Sequence, residues 1–343
     1  MIKVIHVDCA DWFSHSDKLS VYHLLLSRIF ETNVQVVNDM SDADVALIGP
    51  YGSKHCSREF RQSKRVWKLY VTGEPTMPDF RLVHHSLSFN PSSFSGRNYR
   101  FPIWMYDICW DPNFHSVLSF EDSKFLLSTN SSPFLRSASD VERISKFVAV
   151  FNNPELTRMH VFDVLSKHQL CDGIGRPFGT EQRWAGGNYN EKLSALRRYR
   201  ANMCFENTIQ TGYVTEKVFH SKLCGCLTFT WGSLYRQHDF SCIDVLDYES
   251  ISHLSDNEVC EITRSLINDH HVRPSSRIFE AVPTLDKVEA FLWQSYTAFK
   301  EHGDDLLSLS KLLYPGLPEP HFPRSPVVSN LIRIGKGMFR IDS

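Results

Sequence analysis

The stretch Met203-Cys-Phe-Glu-Asn-Thr-Ile-Gln-Thr-Gly-Tyr-Val-Thr-Glu-Lys-Val-Phe219 reads as a strand, a loop and the start of a helix, and Leu227 to Trp231 supplies the next apolar strand. A loop that leads from the end of a strand into a helix N-terminus is a place where open α/β sheets bind anions, because free backbone N–H groups and the helix dipole favour negative charge. Lys217 lies in the first turn, where a cation opposes the dipole. We therefore expect an anion to offset it, and the stretch predicts an anion site in an α/β fold.

Three side chains around Lys217 suit a nucleotide. Glu216 could accept both hydroxyls of a ribose, Tyr213 offers a flat face, and Asn207 offers a donor and an acceptor. The spacing is equally compatible with Glu216 and Lys217 being ordinary solvated helix residues. The residues alone leave both interpretations open.

Short apolar runs alternate with helical or polar stretches over residues 1–110, which favours a parallel sheet with helices between its strands. Between the first two runs, apolar residues recur at helical spacing from Leu19 to Ile29, behind a cap at Ser16 or Asp17. The apolar runs are Ile2 to Val7, Val34 to Val37, Val45 to Ile48, Trp67 to Val71 and Leu82 to Phe89.

A polar, serine-rich connection from Ser116 to Ser139 separates this series from a second one. The second series has a strand at Phe147 to Phe151, a helix at Met159 to Leu165 and a segment from Asn190 to Arg198 that leads toward the quoted stretch. A chain of 343 residues exceeds the size that one hydrophobic core usually reaches, so two domains are expected.

We predict an N-terminal domain at residues 1–140, a second domain at 141–313 and a tail at 314–343. A helix from Thr284 to Lys300 carries an apolar stripe and should pack on a domain surface. In the tail, prolines precede basic residues interleaved with apolar ones. Such a tail suits an anionic membrane surface, and docking on the protein body as a strand or helix is an equal alternative.

The amino-acid composition limits the kinds of partner we expect the protein to bind and the cellular compartment we expect it in. The chain has 42% hydrophobic and 22% charged residues, as is typical of a soluble protein. Its net charge of -2 lacks the excess of basic residues that nucleic-acid binding requires. The nine cysteines form no framework, which favours free thiols in a reducing cytosol. The first residues read as a strand rather than a signal peptide or anchor, so we expect a cytoplasmic protein, with peripheral contact on the inner face of the membrane through the tail.

The quoted stretch also resembles a family signature. Phe205-Glu-Asn-Thr208, then Gly212-Tyr-Val-Thr-Glu-Lys217, then Trp231-Gly232 are similar to the pattern of the α1,3-fucosyltransferases of glycosyltransferase family ten, here of the bacterial type. The resemblance runs back to Tyr70. The weaker upstream matches are Asn153-Pro154 with Arg158, Tyr99-Arg100-Phe-Pro102, and Tyr70-Val-Thr-Gly-Glu74.

The resemblance implies a GT-B architecture, in which two Rossmann-like domains face a central cleft, the N-terminal one holding the acceptor and the C-terminal one GDP-fucose. Family members invert the anomeric centre, and Glu74 matches the base that would activate the acceptor hydroxyl. Arg158 matches the arginine that meets the donor pyrophosphate, and Lys217 would help to stabilise the leaving phosphate without a metal. His85, as an alternative base, and Arg100 fall on the acceptor side.

The implied reaction is transfer of L-fucose from GDP-fucose to a GlcNAc or glucose residue of a glycan, either an oligosaccharide or a surface polysaccharide, in α1,3 linkage. No cofactor is expected to be required, and a divalent metal is expected at most to stimulate the reaction. Two alternatives remain: an inverting GT-B transferase that uses another nucleotide sugar, and a non-catalytic protein that binds a nucleotide sugar or a glycan. Pro75 stands where the family pattern has an asparagine, so the acceptor side departs from the pattern more than the donor side does.

Three other patterns point to different chemistry. Asp42-Ala43-Asp44 matches the Asp-x-Asp of metal-dependent glycosyltransferases, but it precedes an apolar run, so a solvated turn is expected. Gly173-Ile-Gly175-Arg-Pro-Phe-Gly179 is nearly a dinucleotide fingerprint, yet its last glycine is one place late and it follows a poor strand candidate. The adjacent pairs His84-His85 and His270-His271 cannot point to one side of a strand, so no metal site is predicted.

Overall fold

The computed structural model of the chain describes residues 1–7, 21–51, 63–102, 104–105, 142–179, 189–232, 239, 245–270 and 285–313. Within these ranges the chain forms two sheets of parallel strands with helices packed against them. Parallel neighbours need crossover connections, which helices commonly supply. The predicted α/β class with two Rossmann-like halves is confirmed.

The first sheet is formed by the N-terminal part of the chain. Its strands are β1 (Ile2–Val7), β2 (Val34–Val36), β3 (Val45–Ile48), β4 (Trp67–Val71), β5 (His85–Ser88) and β6 (Asn98–Arg100). They lie in the order β2-β1-β3-β4-β5-β6. Helix α1 (Val21–Ile29) connects β1 and β2 in sequence. β3 and β4 are buried along their whole length, as expected for central strands covered on both faces.

The second sheet lies at the centre of the C-terminal half. Its strands are β7 (Ile144–Val150), β8 (Cys171–Ile174), β9 (Tyr199–Phe205), β10 (Leu227–Trp231) and β11 (Leu246–Asp247). Their order is β11-β10-β9-β7-β8. The helices are α2 (Leu156–Lys167), α3 (Tyr189–Arg197), α4 (Glu216–Leu223), α5 (Tyr248–Ile251) and α6 (Asp256–Asp269). Since β9 is the central strand, the loop that follows it leaves the middle of the sheet's C-terminal edge.

Helix α7 (Leu285–Leu313) confirms the predicted C-terminal helix, because a kink at His302 (φ -136°) divides it and the part before the kink has nearly the predicted bounds. It packs on the first sheet rather than the second, because the ring of Tyr296 lies 4.6 Å from that of Phe30 and 5.5 Å from that of Trp67. A helix within the predicted 141–313 domain therefore covers the other half of the molecule. The domain boundaries themselves stay predictions.

Three strands were not predicted from the sequence, and all three lack an apolar run. β6 is three residues long, β11 has only two residues, and β8 contains Gly173. Gly173 is needed there, since a Cβ at this position would lie 2.3 Å from the ring of Phe178. The other predicted strands are confirmed, with the run from Leu82 to Phe89 shortened to β5.

Several predictions fall on other parts of the chain. The cap at Ser16 or Asp17, the connection from Ser116 to Ser139 and the tail at 314–343 lie outside the described residues. No helix in the described ranges is long and apolar enough to cross a membrane. Within those ranges the cysteines are buried free thiols, as expected: Cys171, Cys204, Cys224, Cys226 and Cys260.

Candidate active site

The β9–α4 loop (residues 206–215) confirms the predicted strand, loop and helix. Its first residue still pairs with the sheet, because the Glu206 N–H donates to the Trp231 carbonyl at 3.0 Å. At its other end Thr215 is the N-cap of α4, with an extended backbone conformation. The Thr215 hydroxyl makes no capping bond to the helix, and its partner lies within the loop instead.

That partner is Glu206, whose side chain is fully buried. Its carboxylate accepts from the Thr215 N–H and hydroxyl, each at 2.8 Å, and from the Lys217 ammonium at 3.0 Å. The Lys217 ammonium also donates to the Thr215 hydroxyl at 2.7 Å. An ammonium has three donors, so one remains for a ligand.

The anion expected beside Lys217 is therefore Glu206, a partner that was not predicted from the sequence. A glutamate placed directly after a buried apolar strand is the signal that could have identified it, because a buried charge has to find a counter-charge. Burial lowers the pKa of Lys217, but the charges of Glu206 and Glu216 outweigh it and raise the pKa above the usual value. The loop thus holds a positive charge at the N-terminus of α4.

Glu216, the predicted ribose ligand, is paired with another lysine. Lys192 of α3 donates to its carboxylate at 2.7 Å, and the Lys217 ammonium lies 4.0 Å away. Burial raises the pKa of Glu216, but Lys192 and Lys217 together hold it well below its usual range. The carboxylate is ionised and oriented, and its ribose contact stays a prediction.

Arg158 lies beneath the loop and is 2% exposed. Its guanidinium donates to the Phe205 carbonyl at 3.0 and 2.6 Å and to the Asn153 carbonyl at 3.2 Å, and it stacks over the ring of Phe151 at 5.1 Å. In this arrangement Arg158 holds the end of β9, next to Glu206. Backbone carbonyls thus already accept hydrogen bonds from much of the guanidinium. The predicted contact of Arg158 with the donor pyrophosphate stays a prediction.

Asn207 and Tyr213 lie in the same loop. The Oδ1 atom of Asn207 is buried and has no hydrogen-bond partner among the described residues, and neither has Oε1 of Gln210. Buried acceptors of this kind are uncommon, and a ligand hydroxyl or N–H would satisfy one. Tyr213 is 3% exposed and its ring lies 5.2 Å from that of Phe89, nearly perpendicular to it. The flat face expected at Tyr213 is therefore covered by the first half of the molecule.

Glu74 follows β4, on the C-terminal edge of the first sheet. The Thr72 hydroxyl accepts from the Glu74 N–H at 2.9 Å and donates to the Glu74 carbonyl at 3.0 Å, which fixes the turn. Burial raises the pKa of Glu74; Lys217 counteracts this, and Glu216 adds to it. The charges of Lys217 and Glu216, at the start of α4, therefore act on Glu74 from the other half of the molecule. The two halves meet at the β9–α4 loop, where Tyr213 packs against Phe89.

His85 lies in the core, contrary to the prediction. The side chain is 3% exposed, its Nδ1 accepts from Trp67 Nε1 at 3.2 Å, and its ring contacts Phe291 of α7. Desolvation by burial lowers the pKa of His85 to about 3. His85 is a neutral core residue between the first sheet and α7, so it is not available as an alternative base.

Arg100 also differs from its prediction. Its guanidinium forms a two-pronged ion pair with Asp239, at 2.6 and 2.7 Å, and donates to the carbonyls of Gly212 and Phe89. These contacts join the first half of the molecule to the β9–α4 loop. Arg100 therefore binds protein groups rather than facing an acceptor.

The competing motifs have structural roles. Asp44 accepts from the Lys3 N–H at 2.9 Å, in the turn before β3, and Asp42 ends a short 3₁₀ helix. Gly175 has φ +128°, and a Cβ there would lie 2.0 Å from the Phe151 carbonyl oxygen, so the turn after β8 requires glycine. Within the described ranges, no group of three or more His, Cys, Asp or Glu side chains could hold a metal ion.

Sequence comparisons agree with the motif. Residues 141–262 match the model of glycosyltransferase family 10 (fucosyltransferase), C-terminal domain. An alpha-(1,3)-fucosyltransferase of Helicobacter pylori is 27% identical over 281 residues, which cover 74% of this chain and 56% of that relative. The 4-galactosyl-N-acetylglucosaminide 3-alpha-L-fucosyltransferase 9 of Homo sapiens is 26% identical over 134 residues, 38% of this chain and 36% of that protein. The chain thus matches about half, or less, of the length of these relatives.

Solved structures share the fold. A crystal structure of an α1,3-fucosyltransferase superposes with a TM-score of 0.61 at 18% identity, over 89% of this chain and 91% of that one. A crystal structure of α1,3-fucosyltransferase with GDP-fucose gives a TM-score of 0.59, also at 18% identity, over 86% and 90% of the two chains. The GT-B architecture implied by the motif is confirmed. The quoted stretch and the β9–α4 loop both fall within residues 141–262, the part of the chain that matches the model of the family 10 fucosyltransferase C-terminal domain.

Proposed function

We propose that this protein transfers L-fucose from GDP-fucose to a GlcNAc or glucose residue of a glycan, forming an α1,3 linkage with inversion. The observation that carries the proposal is the Lys217–Glu206 pair at the N-terminus of α4, in a loop that packs against the half of the molecule that contains Glu74. A single displacement requires a base beside the acceptor hydroxyl and a fixed cation beside the leaving phosphate. The H. pylori relative and the solved structure with GDP-fucose support the choice of donor.

In the proposed reaction, an acceptor hydroxyl oxygen attacks the anomeric carbon of fucose on the face opposite GDP. The bond from that carbon to the terminal phosphate oxygen breaks, and the hydroxyl proton passes to the Glu74 carboxylate. A positioned carboxylate contributes roughly 10²–10⁴-fold to such a step. The departing phosphate gains negative charge, which the remaining N–H of Lys217 and the free N–H groups at the start of α4 would stabilise.

The surroundings of Glu74 suit a base. Burial raises its pKa, so its carboxylate takes up a proton more readily than an exposed one does. Among the described residues, the carboxylate makes no side-chain hydrogen bond or ion pair that would have to break first. We propose that no metal is required, and turnover of GDP-fucose in the presence of EDTA would measure this.

We place the acceptor over two exposed apolar side chains beside Glu74. Tyr51 follows β3, the neighbour of β4, and is 47% exposed, while Met77 is 41% exposed. The Glu74 charge raises the pKa of Tyr51, in addition to the effect of its partial burial. An aromatic ring with an apolar neighbour suits the flat C–H face of a pyranose, as in many ligand sites.

The donor is tested by hydrolysis and transfer assays with GDP-fucose, UDP-galactose and GDP-mannose, followed by a screen of oligosaccharide acceptors. We expect turnover with GDP-fucose alone. Turnover with only another donor would favour the inverting transferase of different specificity. Binding of GDP without turnover of any donor would favour the non-catalytic alternative.

We also propose a cytoplasmic location with the tail at 314–343 on the inner face of the membrane. Its basic residues interleaved with apolar ones support this. Deletion after Pro326 should abolish sedimentation with anionic lipid vesicles and leave soluble activity intact. Loss of folding would show that the tail docks on the protein body.

A further inference from the structure

A buried ion pair links parts of the chain that are 139 residues apart. Nη1 and Nη2 of Arg100 both donate to the carboxylate of Asp239, at 2.6 and 2.7 Å. Asp239 is 3% exposed and also accepts from Trp104 Nε1 at 2.9 Å. A two-pronged arginine pair with an added hydrogen bond fixes both position and direction.

The same guanidinium reaches the β9–α4 loop. Arg100 donates to the Gly212 carbonyl at 3.0 Å and to the Phe89 carbonyl at 3.1 Å. Gly212 lies against the first half so closely that a Cβ would be 2.3 Å from the Phe89 carbonyl oxygen, and its φ of +85° also favours glycine. Next to it, the rings of Tyr213 and Phe89 pack nearly perpendicular to each other.

Gly212 is three residues before Thr215, which with Glu206 orients Lys217. The contacts of Arg100 thus hold the middle of a loop whose two ends carry the buried carboxylate and the helix N-cap. A shift of the loop at Gly212 would disturb Glu206 and Thr215, and with them the ammonium. The acceptor half of the molecule is therefore in contact with the part of the site that receives the nucleotide.

We propose that Arg100 and Asp239 form a clamp between the two halves that sets the conformation of the β9–α4 loop, so that nucleotide affinity depends on an ion pair that does not touch the nucleotide. Both are positioning residues. The nucleotide part of this inference rests on the proposed function, whereas the ordering of the loop does not.

The first test follows backbone amide hydrogen exchange of the ligand-free protein. Arg100→Lys keeps the charge and loses the two-pronged geometry, and Asp239→Asn keeps the shape and loses the charge. We expect faster exchange at residues 207–215 in both variants, with unchanged exchange in β9 and β10. Unchanged exchange in the loop of folded Arg100→Lys would overturn the clamp, even if Asp239→Asn fails to fold.

The second test is GDP affinity by calorimetry, well below the melting temperature of each variant. We expect about tenfold weaker binding in Arg100→Lys, the scale of losing one hydrogen bond to a charged group. The matched control is Glu289→Gln, which removes the long-range ion pair of Glu289 with Arg28 between α7 and α1. It should leave both loop exchange and GDP affinity unchanged.

The two tests separate the proposals. A wild-type protein that does not bind GDP would contradict the proposed function, while the exchange data would still decide the clamp. Wild-type GDP binding with equal affinity in a folded Arg100→Lys variant would overturn the coupling of the ion pair to the nucleotide. A loss of affinity in Glu289→Gln of the same size would show that general stability, rather than the clamp, controls binding.

Discussion

The two halves of the molecule each contribute a glutamate, and the two differ in what surrounds them. Glu206, in the second half, accepts from Thr215 and Lys217 and is fully buried. Glu74, in the first half, has its backbone fixed by Thr72, but among the described residues its carboxylate makes no side-chain hydrogen bond or ion pair. A paired carboxylate shapes a site, whereas an unpaired one is available to take a proton. In the proposed reaction, the half that binds the donor is pre-organised by its own ion pairs, and the half that binds the acceptor keeps a carboxylate that can take up a proton.

The largest expected effect is on Glu74. Glu74→Gln keeps the shape of the side chain and removes the base, so turnover should fall by on the order of 10²-fold or more while GDP affinity stays nearly unchanged. Initial rates of GDP-fucose turnover and calorimetry with GDP measure the two quantities. Near-normal turnover would show that Glu74 is not the base, and that Glu74 and Glu206 do not differ in the way described above.

Lys217→Ala tests the donor half in the same way. Loss of the ammonium should weaken GDP binding by about 1.5–3 kcal/mol, the scale of a hydrogen bond to a charged group. The variant also leaves Glu206 without its cation, so the free energy of unfolding should fall. Lys146→Ala, which removes the ion pair of Lys146 with Asp172 between β7 and β8 and leaves the Lys217–Glu206 pair in place, is the matched control and should bind GDP like the wild type. Equal GDP affinity in wild-type protein and Lys217→Ala would refute the phosphate contact.

Tyr51 tests whether the acceptor lies beside Glu74. Tyr51→Ala should raise the acceptor KM by roughly 3–10-fold, the scale of one aromatic contact, and leave GDP affinity unchanged. Tyr51→Phe should behave like the wild type, because the ring rather than the hydroxyl makes the contact. The control is Trp293→Ala on α7, an exposed aromatic side chain that is 51% accessible. An unchanged KM in Tyr51→Ala would place the acceptor elsewhere.

The smallest expected effect is a shift in pH dependence. The base must be ionised, and burial raises the pKa of Glu74, so kcat/KM should decline as the pH falls through a value above the usual 4.5 of a glutamate. The effect on stability has the opposite sign. The folded state binds the proton of Glu74 more tightly than the unfolded state does, so the free energy of unfolding decreases as the pH rises from the usual pKa of a glutamate to the raised pKa of Glu74. Glu74→Gln should therefore be slightly more stable than the wild type at neutral pH, as measured by urea unfolding.

The donor half could be predicted in more detail than the acceptor half, because its chemistry lies in one continuous stretch. The strand, loop and helix from Met203 to Phe219 have the expected order, and Lys217 lies in the first turn of α4. On the acceptor side the role of Glu74 stays a prediction, whereas His85 and Arg100 bind protein groups. His85 is a core residue, since the partner that buries it, α7, comes from the other end of the chain.

Residue types and local order were contained in the sequence: two series of parallel strands, the loop after β9, the glycines of its turns and the cation at the helix N-terminus. The tertiary structure alone decided which charges meet. Glu206 pairs with Lys217, Lys192 pairs with Glu216, and Arg100 holds Asp239. The physical reason is that periodicity and motif spacing report on neighbours within one element, whereas the partner of a buried charge is set by which elements pack together.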